Sequence, residues 1–306
     1  MPREDFWLPP EPDVPDSMRA TASSHLRYED IAQDGRVLLG ALPHSVGLVV
    51  WQKLLQNHEG SRAAARAGIV SILSRLVVEG TDATLSVRKP VDFGGCFQFA
   101  HTVDAAGQVN RIVLNIWTHA EGIIGRTYGT PPADAGQRAP VGRVFAEHTF
   151  TKLFAPPAER KVLRVDVPGL PPVPPDRYDW HAPHALAVPP PGAVLLDAAL
   201  VPDDIACAFG LAHTDSNQHV NSLVYPRLFE EAALRRLAAR GRKTSLLART
   251  LEVAYRKPFF AGQASRIVLQ TYEHDGRLAA VGAFLPEPAD LTQLARAHAF
   301  LRMTFS

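Results

Sequence analysis

The sequence predicts an α+β protein made of two copies of one unit, each a helix followed by several antiparallel strands. Three observations carry this prediction. The segment Ala83-Thr84-Leu85-Ser86-Val87-Arg88-Lys89-Pro90 is echoed by Arg249-Thr250-Leu251-Glu252-Val253-Ala254-Tyr255-Arg256-Lys257-Pro258. Each copy is followed by glycine and then by two alternating apolar runs joined by a turn, the mark of a β-hairpin. Between the copies lies a proline-rich stretch that holds eleven of the 26 prolines, from Pro156 to Pro191.

In the first half, a helical pattern runs from Val46 to His58, followed by the Arg-Lys-Pro segment and by Gly94 and Gly95. Strands are expected at Cys96 to Val103 and Arg111 to His119, with a turn at Ala105-Ala106-Gly107. The composition then changes. Proline resists helix and central strand and favours extended geometry, so Thr127 to Pro191 reads as a long surface connection. Short ordered pieces are expected within it at Arg143 to Phe154 and Lys161 to Val167. In the second half, a helical pattern runs from Val220 to Arg240. After Gly262, strands are expected at Ser265 to Glu273 and Leu278 to Leu285, with His274-Asp275-Gly276 as the turn. The resulting boundaries are a first unit at 20–126, a connection at 127–191 and a second unit at 192–306.

Composition excludes several classes. Of 306 residues, 46% are hydrophobic and 21% charged, as in an ordinary globular protein, and the net charge is +1. No basic stripe marks a nucleic-acid surface. Met1 to Ser24 carries proline and acidic residues where a signal peptide needs an apolar core. No apolar run reaches the roughly 20 residues of a membrane span, so no membrane partner is expected. Cys96 and Cys207 are the only cysteines. Two isolated thiols suit a reduced, cytoplasmic protein, and the scattered histidines form no metal-ligand spacing, so neither metal nor cofactor is expected.

The most informative run is His213 to Glu231, which contains D-x-N-x-H-V-N-x-x-x-Y as Asp215, Asn217, His219, Val220, Asn221 and Tyr225. Alternate polar residues share one face of an extended segment. The apolar pattern at Leu223, Leu228, Phe229, Ala232 and Ala233 then suits a helix. The run therefore reads as a strand or turn that delivers three polar side chains to a helix mouth, where free N–H groups and partial positive charge suit an oxyanion. Taken singly, Asp and Asn before a helix are ordinary caps contributing about 1 kcal/mol. Their joint spacing points to a site.

That motif resembles the signature of hotdog-fold acyl thioesterases, most nearly the plant-type and bacterial acyl-ACP thioesterases, and more broadly relatives of hydroxybenzoyl-CoA thioesterase. The resemblance implies two fused hotdog units, each a long helix wrapped by an antiparallel sheet, with the motif in the second unit only. In the first half the equivalent stretch, Leu42 to Gly47, lacks it. Weaker likenesses lie at Tyr28-Glu29-Asp30 through Asp34-Gly35-Arg36 and at Tyr255-Arg256-Lys257-Pro258. The resemblance implies a substrate that is a thioester of acyl carrier protein or CoA, with a homodimer allowed but not required. One departure concerns the later strand, where the plant enzymes have a catalytic glutamate; Pro258 stands here. Gln263 follows Gly262, where the bacterial pattern has Asp.

Thioester hydrolysis requires an activated water or nucleophile, a polarised carbonyl and room for the acyl group. Asp215 is the expected general base, or alternatively a nucleophile, and an apolar surrounding would raise its pKa. Asn217 can orient water or hold Asp215. His219 can polarise the carbonyl or share base duty. The N–H groups near Val220 and Asn221 are candidate oxyanion donors, worth about 3 kcal/mol each in known enzymes. Tyr225 is expected to line substrate near a subunit seam.

Other residues read as structural. Glu230 and Glu231 suit a solvated helix face or a salt bridge, and Cys96 and Cys207 suit apolar packing. Trp51, Phe97, Phe99 and Trp117 suit core or an acyl tunnel. His44 and Ser45 can line a second, degenerate site. Two rivals to a thioesterase are a hotdog hydratase or dehydratase, whose motif has a proline inside and its histidine one residue later, and an acyl-binding protein without turnover.

Overall fold

The computed structural model describes residues 8–306. Met1–Trp7, part of the segment read for a targeting signal, lie outside the described residues. The chain divides into two compact units, Leu8–Trp180 and His181–Ser306.

The first unit contains β1 (Arg19–His25), β2 (Val70–Gly80), β3 (Pro90–Val103), β4 (Val109–Ile123) and β5 (Arg138–Thr151). Its sheet runs β1-β3-β4-β5-β2, with every pair antiparallel. After a two-residue strand β6 (Val194–Leu195), the second unit contains β7 (Val201–Ala208), β8 (Ala248–Tyr255), β9 (Ala264–His274), β10 (Arg277–Pro286) and β11 (Ala299–Phe305). Its order is β7-β9-β10-β11-β8, with β6 also on β9. First-third-fourth-fifth-second is the same permutation in both units, so the repeat is one of topology.

The register inferred from Arg-Lys-Pro is corrected by the strands. Ala83–Lys89 is the connection between β2 and β3, and the counterpart of β8 is β2, which the sequence reading passed over. Both hairpins form where expected. Asp275 (φ 49°) and Gly276 (φ 69°) are both left-handed, as a two-residue turn requires to match strand twist. The span 127–191 is not a free connection. Residues 138–151 are β5, between β4 and β2, and the proline-rich chain after it hydrogen-bonds to the first unit's sheet. His101 N–H donates to the Asp176 carbonyl at 2.9 Å, and Tyr178 N–H to the His101 carbonyl at 2.8 Å. Proline removes donors but leaves carbonyls, so this segment can edge a sheet.

Among the described residues, only the second unit has a long helix. α2 (Val224–Ala239) buries Tyr225, Phe229, Ala232, Ala233 and Leu237 against its sheet. It ends at Gly241 (φ 72°), where the Gly241 and Arg242 amides donate to the Ala238 and Leu237 carbonyls. Gly282 on β10 permits the contact: a Cβ there would lie 2.8 Å from Phe229 Cε2. The helix expected at Val46–His58 is broken, which corrects the picture of a long helix in each unit. A π-type turn spans Val46–Trp51, a 3-10 turn spans Leu55–Asn57, and α1 (Glu59–Arg66) starts afresh. His58 leaves helical backbone (ψ 123°), and its Nδ1 accepts the Ser61 N–H at 3.2 Å, capping the new helix. α1 also approaches the proline-rich chain so closely that a Cβ on Gly60 would sit 2.4 Å from Leu170 Cγ.

A buried ion cluster fixes the far end of α2. Asp197 is 1% exposed and accepts from Arg236 and Arg240, each with Nη2 at 2.6 Å, and from Thr271 through N–H (3.0 Å) and Oγ1 (2.6 Å). Burial opposes its charge, but Arg236, Thr271 and Arg240 outweigh that and hold the carboxyl well below the usual range. No helix among the described residues is long and apolar enough to cross a membrane.

Candidate active site

Of the two forms that the sequence left open for Asp215–His219, strand or turn, the chain adopts a tight turn. Asp215 N–H donates to the His219 carbonyl (3.1 Å), Gln218 N–H donates back to the Asp215 carbonyl (2.9 Å), and Thr214 bridges Val220. Gln218 takes φ 65°, a conformation uncommon for a residue other than glycine. The turn gathers the acid and the histidine on one side. His219 Nδ1 lies 3.8 Å from Asp215 Oδ1 and 3.4 Å from the Val220 carbonyl oxygen. Asp215 Oδ1 accepts the Asn217 N–H at 2.9 Å, and Oδ2 accepts Asn221 Nδ2–H at 3.3 Å. The Asp215 side chain is 25% exposed and that of His219 37%, so the carboxylate meets water rather than the apolar surrounding expected for it. Asn217 is exposed, and its side-chain amide has no hydrogen-bond partner among the described residues.

Asn221 is the brace of the site. Its side chain donates to Asp215 and accepts the Leu223 N–H at 2.9 Å, while its carbonyl accepts the Val224 N–H that opens α2. One residue thus ties the carboxylate to the helix start. The two backbone amides read as oxyanion donors are engaged in this arrangement. Val220 N–H donates to the Phe259 carbonyl (2.8 Å), and Asn221 N–H donates to the His213 carbonyl (2.9 Å). The helix begins at Val224, three residues later than the amides of Asn221, which is why these groups meet loop carbonyls instead of an open helix mouth.

Tyr225, expected to line substrate, is packed inside the second unit. It is 3% exposed and accepts the Phe259 N–H at its hydroxyl (3.1 Å); its ring meets Tyr255 and Phe284 edge-on at 5.7 and 5.2 Å. Burial raises its pKa. Three further residues support the loop. Tyr255 donates its hydroxyl to the Ser222 carbonyl (2.9 Å), Phe259 receives Val220 as above, and His298 stacks on Phe259 at 4.0 Å. The Nδ1 of His298 lies 3.1 Å from the carbonyl of Pro258, the position where a glutamate was looked for. Burial is the main cause of the lowered pKa of His298; the Pro258 carbonyl opposes it, and Lys257, Arg256 and Arg296 add to it. No local pattern marks these residues, since each acts on the loop from a distant segment.

The remaining candidates settle as follows. Glu230 is half-buried and makes no ion pair among the described residues: it accepts the Ala248 N–H at 3.2 Å, and burial raises its pKa. Ser45 is 2% exposed and bonded to the Leu42 carbonyl and to Thr118. Burial pushes the Cys96 thiol up to about 12 and raises that of Cys207, which makes both poor nucleophiles. Phe97, Phe99 and Trp117 are buried core. Among the described residues, no three His, Cys, Asp or Glu side chains gather as they would around a metal ion.

No protein-family model and no curated protein sequence matches this chain. Solved structures do. An acyl-ACP thioesterase of Bacteroides thetaiotaomicron superposes with a TM-score of 0.57 at 13% identity, covering 95% of this chain and 99% of that one. A 12:0-ACP thioesterase of Umbellularia californica gives 0.56 at 10%, covering 94% and 97%. At these identities the likeness is one of fold, and it spans nearly the full length of each protein: this chain has the two-unit architecture of the acyl-ACP thioesterases.

Proposed function

We propose that the protein hydrolyses an acyl thioester of CoA or acyl carrier protein at the Asp215 turn. The observation that carries this reading is the grouping of Asp215, His219 and Asn221 in one turn, braced onto the start of α2. A carboxylate has about four acceptor positions, and the two hydrogen bonds described use only half of them. Asp215 can therefore accept a proton from water while Asn221 and the Asn217 amide hold its orientation. The hydroxide adds to the thioester carbonyl carbon, the C–S bond breaks, and the departing thiolate takes a proton, giving a carboxylic acid and a thiol.

His219 fits the electrophilic side. With Nδ1–H directed at the Val220 carbonyl, its Nε2 faces away and has no partner among the described residues. A protonated ring would donate Nε2–H to the developing oxyanion. Asn217, exposed and with its side-chain amide unpartnered among the described residues, can orient water. The absence of an acid at Pro258 leaves the base role to Asp215. The test is free-thiol release from a panel of acyl-CoAs and acyl-pantetheines, with His219→Gln and Asn217→Ala beside the wild type. Release that falls at least tenfold in each variant supports these roles; undiminished release removes them.

A further inference from the structure

The internal repeat gives the Asp215 turn a counterpart in the first unit. In the second unit the candidate turn lies between β7 and α2, and is held by the β8–β9 connection through Phe259, against which His298 packs from just before β11. In the first unit the matching chain lies between β1 and the turn at Val46. It too is tied to the connection after the second strand, with donor and acceptor exchanged: the Gly35 carbonyl accepts the Leu85 N–H from the β2–β3 connection (2.8 Å), and Leu85 bridges Ile124 just after β4. No acid–histidine turn occurs here. The surface instead carries Tyr28 and Tyr128, 65% and 72% exposed, their rings 24° from parallel with centroids 6.4 Å apart.

Two exposed tyrosine rings side by side offer flat faces on which a planar ligand can stack. The charges around them are uneven. Arg27 is paired with Glu29 and Asp30, and Arg36 with Asp34 and Asp82. Arg88, Lys89 and Arg126 are exposed and make no ion pair with the described residues. Arg88 lies close enough to act electrostatically on Tyr128, Thr127 Oγ1 accepts the Val87 N–H at 3.1 Å, and Arg126 lies against Gly35. Two flat aromatic faces with Arg88 near Tyr128, and with Lys89 and Arg126 close by along the chain, match a purine that carries several phosphates.

We propose that this first-unit surface binds the adenosine 3′-phosphate 5′-diphosphate portion of a CoA thioester, the duplicated site having exchanged chemistry for recognition. As a choice of carrier it rests on the thioesterase reading, but the binding it asserts is measurable without turnover. The experiment is calorimetric titration of the full chain with adenosine 3′,5′-bisphosphate at low and moderate salt. Wild type and Asp215→Ala are expected to bind equally, more weakly as salt rises. Tyr128→Ala and the pair Arg88→Glu, Arg126→Glu are expected to weaken binding at least tenfold, with melting temperatures unchanged because all three side chains are exposed. Absence of binding by the wild type overturns the proposal, as does binding that ignores these substitutions. Loss of turnover on an acyl carrier protein substrate in the Arg variants, without nucleotide binding by the wild type, also overturns it and assigns the surface to an acidic protein. Thiol release from acyl-pantetheine that persists when nucleotide binding fails would leave the thioesterase reading standing alone.

Discussion

Asp197→Asn tests how the far end of α2 is held. The substitution keeps the size of the side chain and removes the charge that Arg236 and Arg240 share. Removing one member of a buried ion pair costs about 3–5 kcal/mol. Here the arginine side chains are 28% and 44% exposed and can rehydrate, so the lower end, about 3 kcal/mol, applies. At about 2–4 °C per kcal/mol, the melting temperature at pH 7 should fall by about 6–12 °C. The pH dependence has a definite sign. The folded pKa of Asp197 is depressed, so its stabilisation is present above the ordinary carboxylate pKa and is lost as pH falls below it. The gap between wild type and variant, followed by circular dichroism melts, should therefore narrow in acid. Turnover per folded molecule should not change, because roughly 18 Å of helix separates Arg236 from Val224. A melting temperature within 1 °C of wild type at pH 7, or a gap that widens in acid, refutes the account of this cluster.

Three further outcomes are expected. Tyr225→Phe strands the Phe259 N–H inside the second unit, so stability should fall by about 1–3 kcal/mol in denaturant melts while turnover per folded molecule holds; intact stability with lost turnover would return Tyr225 to the substrate. Asn221→Ala removes the brace between Asp215 and α2, and kcat should drop at least tenfold for a stability loss of about 1 kcal/mol, as for a lost cap. A drop in stability alone would make Asn221 purely a cap. His148 is buried neutral, with burial lowering its pKa from 6.5 to about 4. The unfolded chain then binds more protons between those values, so stability should decline as pH falls from 6.5 towards 4, and His148→Gln should flatten that decline in pH-dependent melts.

Local features were legible in the sequence and long-range ones were not. The Asp275-Gly276 hairpin follows from two residues that tolerate positive φ, and the end of the helical pattern at Arg240 lies within one residue of the end of α2 at Ala239. The Asp215 to Asn221 motif was visible because its residues interact within seven positions of chain. Turn and strand could not be told apart there because the turn depends on Gln218 at φ 65°, which glutamine does not advertise. The oxyanion assignment to Val220 and Asn221 failed to foresee partners from His213 and Phe259, the second 39 residues away. The first helix is interrupted before His58, and α1 beyond it packs close to Gly169 and Leu170, more than 100 residues downstream, a contact that no local pattern announces. β5 was legible only as a short ordered piece at Arg143 to Phe154, its earlier start at Arg138 and its place in the sheet being obscured by the proline-rich stretch that follows, and the Asp197 cluster joins residues 39 and 43 apart with no shared local pattern.

The most direct test of the central claim is thiol release by wild type and Asp215→Asn on the same acyl-thioester panel, with melting temperatures measured alongside. A general base contributes typically 10²–10⁴-fold, so the variant should lose at least about 100-fold in kcat while melting within a few degrees of wild type. Equal turnover in the two proteins, or no thiol released by the wild type from any thioester, contradicts the assignment of the Asp215 turn as a hydrolytic site.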